Sequence, residues 1–385
     1  MYYTTTLKRL LIALLFLLIS LISLLYFPAP YVWISLSFFL VLSYVAVSCQ
    51  IRFLKLILFN LAVIVMTLGV WEAYLWFERS KAKPVEHYSK NIFMTHDLLG
   101  YAPIKADSIQ VKEEYEGELI YDVVYTLNAN GLRISPPYQK DNQECLLFFG
   151  GSFTFGVGVN DKEAMPYQVG MKSNGKYRSY NFGVGGYGPH QMLSAIEHQI
   201  VEKQVACEPT YAIYQALIMH TRRSAGLEPW DRHGPKYILG EDGEVRFVGH
   251  FDDAHNPLFF TIHKQLNKSF TYQTLFQTLR RRNKHEHDIQ LFVKIISRSK
   301  ALFEITYPQS EFHLLLWDDK NEKDRDLILK KMRENDIRVH LISDILPNYQ
   351  NVPDSYAIHP LDKHPNALAH EIIAEYIINH IINFN

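Results

Sequence analysis

The sequence predicts an α/β chain in which a parallel sheet with helices on both faces follows three membrane-spanning helices and a small β lead-in. Three observations carry this: three long apolar stretches open the chain, a polar segment with strand-like runs follows, and from Cys145 short apolar strands alternate with helical stretches. With 385 residues there is ample chain for a large core.

The apolar stretches at 10–27, 31–48 and 53–77 each come close to the roughly 20 residues that span a hydrocarbon core. Pro28, Ala29 and Pro30 separate the first two, and Cys49, Gln50, Ile51 and Arg52 the next two. Neither connection can hold a domain. A cleaved secretory signal would carry a single shorter apolar core, so all three are read as permanent anchors. Lys8 and Arg9 precede the first span and Arg52 and Lys55 mark the second turn, which places the N-terminus in the cytoplasm and the end of the third span outside it. Arg79, Lys81 and Lys83 run against that orientation. Trp71, Tyr74 and Trp76 suit an interfacial aromatic belt, and Glu72 is expected in the same belt.

The anchor is taken as residues 1–79, the β lead-in as 80–140 and the α/β domain as 141–385, with an insert at about 221–290. In the lead-in, ELIYDVVYTLNANGLRI has strand-forming residues and an Asn130-Gly131 turn signal. The α/β domain reads as strand LLFFG, a helix near 164–172, strand YRSYNF, helix PHQMLSAIEHQIVEKQV and strand TYAIYQALI. Pro189 suits a first helical turn, and Met192, Leu193, Ile196 and Ile200 recur at helical spacing behind it. The insert holds a hairpin pattern about Asp242-Gly243 and a polar helical stretch reaching Arg282. Helix IQLFVKIISRSKALFEI, strand FHLLLW, helix DRDLILKKMREN, strand RVHLI and a final helix ALAHEIIAEYIINHII resume the alternation.

Charge narrows the function. Residues 1–79 carry five Lys or Arg against two Glu, so the whole-chain charge of −1 leaves −4 for the rest. A mildly acidic soluble part argues against nucleic-acid binding. The basic run Arg280, Arg281, Arg282 and Lys284 reads as a solvated helix end. Three cysteines without CxxC or Cys/His spacing imply no structural metal, and no nucleotide or other cofactor motif is present.

Ligand sites of open α/β sheets form outside the carboxyl ends of strands. Four such ends stand out: Gly151-Ser152 after LLFFG, Gly183 to Gly188 after YRSYNF, His220 after TYAIYQALI, and the LDKHPNA loop after RVHLI. Serine needs a base to take its proton, and the base needs an acceptor on its other nitrogen. His364 and Asp362 supply both within three residues. An oxyanion needs donors, which the Ser152 N–H, the Gly183–Gly186 loop and the His220 side chain can provide. The plainer readings are a turn serine, a helix-start histidine and a packed His220. His359 and His370 read as structural, and Arg222 and Arg223 as salt-bridge partners.

GGSFTFGVGV, NFGVGGYG and DKHPNALAHEIIAEY, in this order over about 145–380, resemble the blocks of the SGNH or GDSL-type hydrolases. The resemblance implies a flavodoxin-like three-layer fold with Ser152 as nucleophile, His364 as base and Asp362 as its orienting acid. It also implies backbone donors at Ser152 and Gly185, and ester hydrolysis or acyl transfer as the reaction. Three departures matter: Gly151 stands where the family has aspartate, Asp362 and His364 are one residue closer than usual, and His220 replaces an asparagine. In a flavodoxin-like sheet Cys145 and Cys207 lie at neighbouring strand starts, so a disulfide is expected if the domain faces an oxidising compartment. Together these features predict a three-span protein of the cytoplasmic membrane with an extracytoplasmic catalytic domain. Its expected partners are an acylated cell-wall or surface glycan, or another ester, and an envelope polysaccharide-modification complex. The rival expectation is a non-catalytic glycan-binding or assembly module.

Overall fold

The computed structural model describes residues 28–81, 92–105, 108–138, 144–253, 265–319, 323–349 and 351–382, with short pieces at 15–26, 86–88 and 262. The chain divides into two compact units, 1–84 with 254–285, and 85–253 with 286–385. The β lead-in therefore folds with the α/β domain, and the insert is shared between the units.

In the first unit, Pro30–Ser48 and Arg52–Ser80 are helices long and apolar enough to cross a membrane. Among the described residues there are two such helices rather than three, and most of the expected first span lies outside those residues. Small residues bring the pair together: a Cβ at Gly69 would lie 2.7 Å from Ser35 Cβ. Phe53, Leu56, Phe59 and Val70 stand exposed. Glu72, expected in an interfacial belt, is instead buried. Its carboxylate accepts from the backbone N–H of Phe270 (2.6 Å) and Thr271 (2.9 Å), and from the hydroxyls of Ser269 (3.0 Å) and Thr271 (2.6 Å). These donors open the helix Phe270–Thr306, whose first-turn N–H groups have no partner inside the helix. The side chains of Arg280, Arg281, Arg282 and Lys284 lie outside the described residues.

The second unit begins with strands β1 (Glu86–Tyr88), β2 (Phe93–His96), β3 (Gly100–Pro103), β4 (Ser108–Tyr115) and β5 (Glu118–Thr126). β2 and β3 form a hairpin, and β1, β4 and β5 an antiparallel sheet. The main sheet uses β6 (Glu144–Gly150), β7 (Arg178–Gly183), β8 (Glu208–Leu217), β11 (Glu311–Trp317) and β12 (Arg338–Leu341). It is wholly parallel with order β7-β6-β8-β11-β12, the flavodoxin-like order 2-1-3-4-5. The expected hairpin about Asp242-Gly243 forms as β9 (Pro235–Leu239) and β10 (Val245–His250), and β13 (Ala357–His359) pairs with β14 (Asp362–Pro365).

Strand residues alternate between two cores. Leu147, Phe149, Tyr214 and Leu316 pack with Met192, Phe292 and Ile296, whereas Leu146, Phe148, Ile213 and Leu315 pack with Met165, Val169 and Ile373. A sheet covered on both faces needs apolar residues at every position, which is why LLFF and LLLW are unbroken runs. The predicted helix 189–205 is split into Pro189–Glu197 and Ile200–Gln204, because Gln199 takes a left-handed conformation at φ 57°. The insert's polar helix and the following one are a single helix, Phe270–Thr306.

Cys145 and Cys207 are free thiols, not the expected disulfide. The register explains this: Cys145 pairs with Pro209, so Cys207 stands before the ladder, and the Cys145 thiol donates to the Cys207 carbonyl oxygen at 3.3 Å. Burial pushes the Cys145 thiol far up, while a separate side-chain hydrogen bond from Cys145 to the Cys207 sulfur holds Cys207 below the usual thiol range.

Candidate active site

Gly150 closes β6 opposite Gly183 of β7 and Gln215 of β8, at the point where the chain order reverses in the sheet. Any side chain there would collide: a Cβ on Gly150 would lie 2.2 Å from Thr154 Oγ1 and 2.8 Å from the Gln215 carbonyl oxygen. The strand therefore turns sharply into the short helix Ser152–Phe155, with Ser152 half-buried at its start. Thr154 Oγ1 donates to Gln215 Oε1 (2.9 Å) and Asn181 Nδ2 donates to the Thr154 carbonyl oxygen (3.0 Å), tying this turn to both neighbouring strands.

Asp362 and His364 lie on β14, and Asn366 caps the next helix by accepting from the Ala369 N–H at 3.0 Å. Asp362 Oδ1 accepts from the His364 backbone N–H (2.9 Å) and from His364 Nδ1 (2.5 Å). Nδ1 thus carries a proton, and Nε2 of the neutral ring is left with its lone pair. Burial works to raise the Asp362 pKa, but the His364 hydrogen bond and charge, the backbone N–H and His359 outweigh it and hold the carboxyl below its ordinary value. The His364 ring packs on Phe153, the residue after Ser152, with centroids 5.3 Å apart. The structure therefore brings together the serine turn and the Asp362–His364 pair. Ser152 Oγ makes no hydrogen bond to any described residue.

Gly185 is half-buried on the glycine loop after β7, where its carbonyl oxygen accepts from Tyr101 Oη at 2.8 Å. Tyr101 belongs to the lead-in hairpin, and Tyr187 of the same loop donates back to the Tyr101 carbonyl oxygen.

His220 departs from its expected role as oxyanion donor. It is fully buried, with Nδ1 2.8 Å from Tyr214 Oη and Nε2 3.0 Å from Arg223 Nη1. A guanidinium only donates, so Nε2 is an acceptor and the ring's single N–H points to Tyr214. Burial above all, then the charges of Arg223 and His190, push the His220 pKa well below its usual value. No N–H remains for an oxyanion. Gly151 is explained by the same group, since a Cβ there would lie 2.7 Å from Arg223 Nη1.

Of the residues read as structural, His370 accepts from the Met165 N–H at 3.1 Å, with burial driving its pKa down to about 3. His359 pairs with Glu118 and Arg222 with Glu228. Arg223 makes no salt bridge among the described residues.

Sequence reasoning passed over Arg133. Buried under the turn, it donates from Nη1 to the Phe155 (2.8 Å) and Gly156 (2.6 Å) carbonyl oxygens, from Nη2 to that of Val159 (2.6 Å), and from Nε to Asp161 (2.9 Å). The one available signal was an arginine two residues after the Asn130-Gly131 turn, which by itself does not indicate burial.

No family model matches the chain, and no curated protein matches it. Similar solved structures include a carbohydrate esterase whose active site is described as having divergent catalytic and non-catalytic binding functions. It is 10% identical with a TM-score of 0.37, over 77% of this chain and 97% of that one. An acetyl xylan esterase from the rumen bacterium Butyrivibrio proteoclasticus is 13% identical with a TM-score of 0.33, over 70% of this chain and 68% of the other. A third is 13% identical with a TM-score of 0.31, over 61% of this chain and 97% of its own. This last structure is described as a lipolytic protein of the G-D-S-L family from Desulfitobacterium hafniense.

Proposed function

We propose that this protein is a membrane-anchored serine esterase or O-acyltransferase of the SGNH type, acting on ester groups, acetyl above all, of a cell-wall or surface polysaccharide. The observation that supports it best is the Asp362–His364 pair, its ring packed beside the serine turn at a strand end. In this reading Ser152 Oγ attacks the ester carbonyl as His364 Nε2 takes its proton. The tetrahedral intermediate then collapses, the alcohol leaves with that proton, and an acyl-serine remains. Water or a sugar hydroxyl, deprotonated by the same nitrogen, resolves it. Asp362 stays ionised and orients the ring. The backbone N–H groups of Ser152 and Gly185 face the developing oxyanion. The expected third span at 10–27, with the N-terminus inside, would put the catalytic unit outside the cytoplasmic membrane, and an acylated glycan and an envelope polysaccharide-modification complex are the proposed partners there.

The test is labelling of the full chain by a fluorophosphonate, alongside acetate release from p-nitrophenyl acetate. Ser152→Ala is expected to abolish both. The open gap at Ser152 Oγ favours the second reading, a non-catalytic glycan-binding or assembly module. Unliganded enzymes, however, often close this contact only on substrate. Folded wild-type protein with neither Ser152-dependent labelling nor turnover would leave the binding module standing.

A further inference from the structure

We infer that Arg223 is the side-chain donor to the oxyanion in this site, held in place by His220 and Tyr214. This rests on the esterase reading above.

Arg223 is 6% exposed, and its three nitrogens are in three different situations. Nη1 is fully used, donating to the Tyr187 carbonyl oxygen (2.6 Å) and to His220 Nε2 (3.0 Å). Nε is enclosed and has no partner. Nη2 also has no partner among the described residues, and it is not enclosed. The nearby carboxylates are engaged elsewhere: Glu228 binds Arg222, and Asp231 binds His190 (2.7 Å) and Gln191 (2.8 Å). Burying a cation in this state is expensive unless something else meets its charge.

Position says what that is. Nη1 lies 2.7 Å from where a Cβ on Gly151 would be, directly before Ser152, and it is tied to Tyr187 of the loop that carries Gly185. The guanidinium therefore stands between the two elements whose backbone N–H groups serve the oxyanion. Nη2, on a guanidinium whose carbon lies 5.9 Å from the centre of the Trp230 ring, is the donor left without a hydrogen-bond partner. Tyr214 fixes the tautomer of His220, and His220 as an acceptor fixes Arg223. The family's asparagine amide is thereby replaced by a charged donor one helical turn further on. The absence of a side chain at Gly151 leaves room for it. Because negative charge appears on the carbonyl oxygen only as the transition state forms, the effect belongs on kcat.

The test uses the full chain in detergent, with p-nitrophenyl acetate as substrate and phenylboronic acid as a tetrahedral anion mimic. In Arg223→Met, kcat should fall on the order of 10²–10³-fold with KM within about threefold, and the boronate should bind weaker by a similar factor. Arg223→Lys keeps the charge but not the fork, and should lose on the order of tenfold. His220→Leu should lower kcat, and His220→Gln, whose amide oxygen can accept from Nη1, should restore most of it. Arg223→Met with a wild-type melting curve, unchanged kcat and unchanged boronate affinity overturns the assignment. If that variant does not fold, wild-type kcat and boronate affinity in Arg223→Lys overturn it. Turnover that depends on Ser152 but not on Arg223 defeats only this assignment, whereas turnover independent of Ser152 defeats the esterase reading and this one with it.

Discussion

Asp362 holds His364 through two hydrogen bonds to one carboxylate oxygen, so it sets both the ring's orientation and its tautomer. Asp362→Asn would present an amide that can donate to Nδ1, and the wrong tautomer would leave Nε2 protonated. If the triad reading is right, kcat should drop on the order of 10⁴-fold with little change in fold, as measured by esterase assay and circular dichroism. The same pair bears on stability. Because folding lowers the Asp362 pKa, its contribution is fully present above the unfolded-state value and is lost as pH falls through the lower folded value. Thermal melts of wild type and Asp362→Asn should therefore differ by a constant amount near neutrality and converge only on the acid side of the ordinary carboxylate range.

The serine turn is held by an element distant in sequence. Arg133, from the lead-in, binds the carbonyl oxygens of Phe155, Gly156 and Val159, at the end of the short helix and just beyond it, and its ion pair with Asp161 is nearly dry, with side-chain exposures of 1% and 14%. Arg133→Met removes those donors and leaves Asp161 uncompensated. A loss of about 3–5 kcal/mol, read by denaturant unfolding, is expected. Glu72 does a comparable task at the start of Phe270–Thr306. Glu72→Ala should cost about 1–2 kcal/mol in detergent, and Glu72→Gln less, since one carboxamide oxygen can still accept.

For the whole molecule the decisive quantity is which side of the membrane each unit faces. Two exposed apolar helices meet the length needed to cross, and an α/β unit whose sheet is covered by helices on both faces follows them. Under the proposed orientation, an alkaline-phosphatase fusion after Lys83 should be active and a green-fluorescent-protein fusion at the same point dark. The reverse result places the catalytic unit in the cytoplasm. The thiols of Cys145 and Cys207 would then suit their compartment.

Strand order, the Asp362–His364 pair and the serine turn were legible in the sequence. Unbroken apolar runs, paired glycines and an Asp-Lys-His triplet are local patterns with local causes, and they map onto buried strands, the end of β6 and β14. The fate of His220 was not legible, because a histidine's tautomer depends on what faces its two nitrogens, and here those are Tyr214, six residues back, and Arg223, one turn on. The reason for Gly151 was likewise not legible, because the group that takes the space beside it is Arg223. Arg133 and Glu72 are single charged residues whose meaning depends on partners 22 or more residues away for Arg133 and about 200 for Glu72. The sequence by itself determined where the serine turn and the glycine loop fall, since strand ends and their glycines are properties of short segments. Only the tertiary structure decided which donors are spent and which remain free, because hydrogen-bond capacity is settled by neighbours in space.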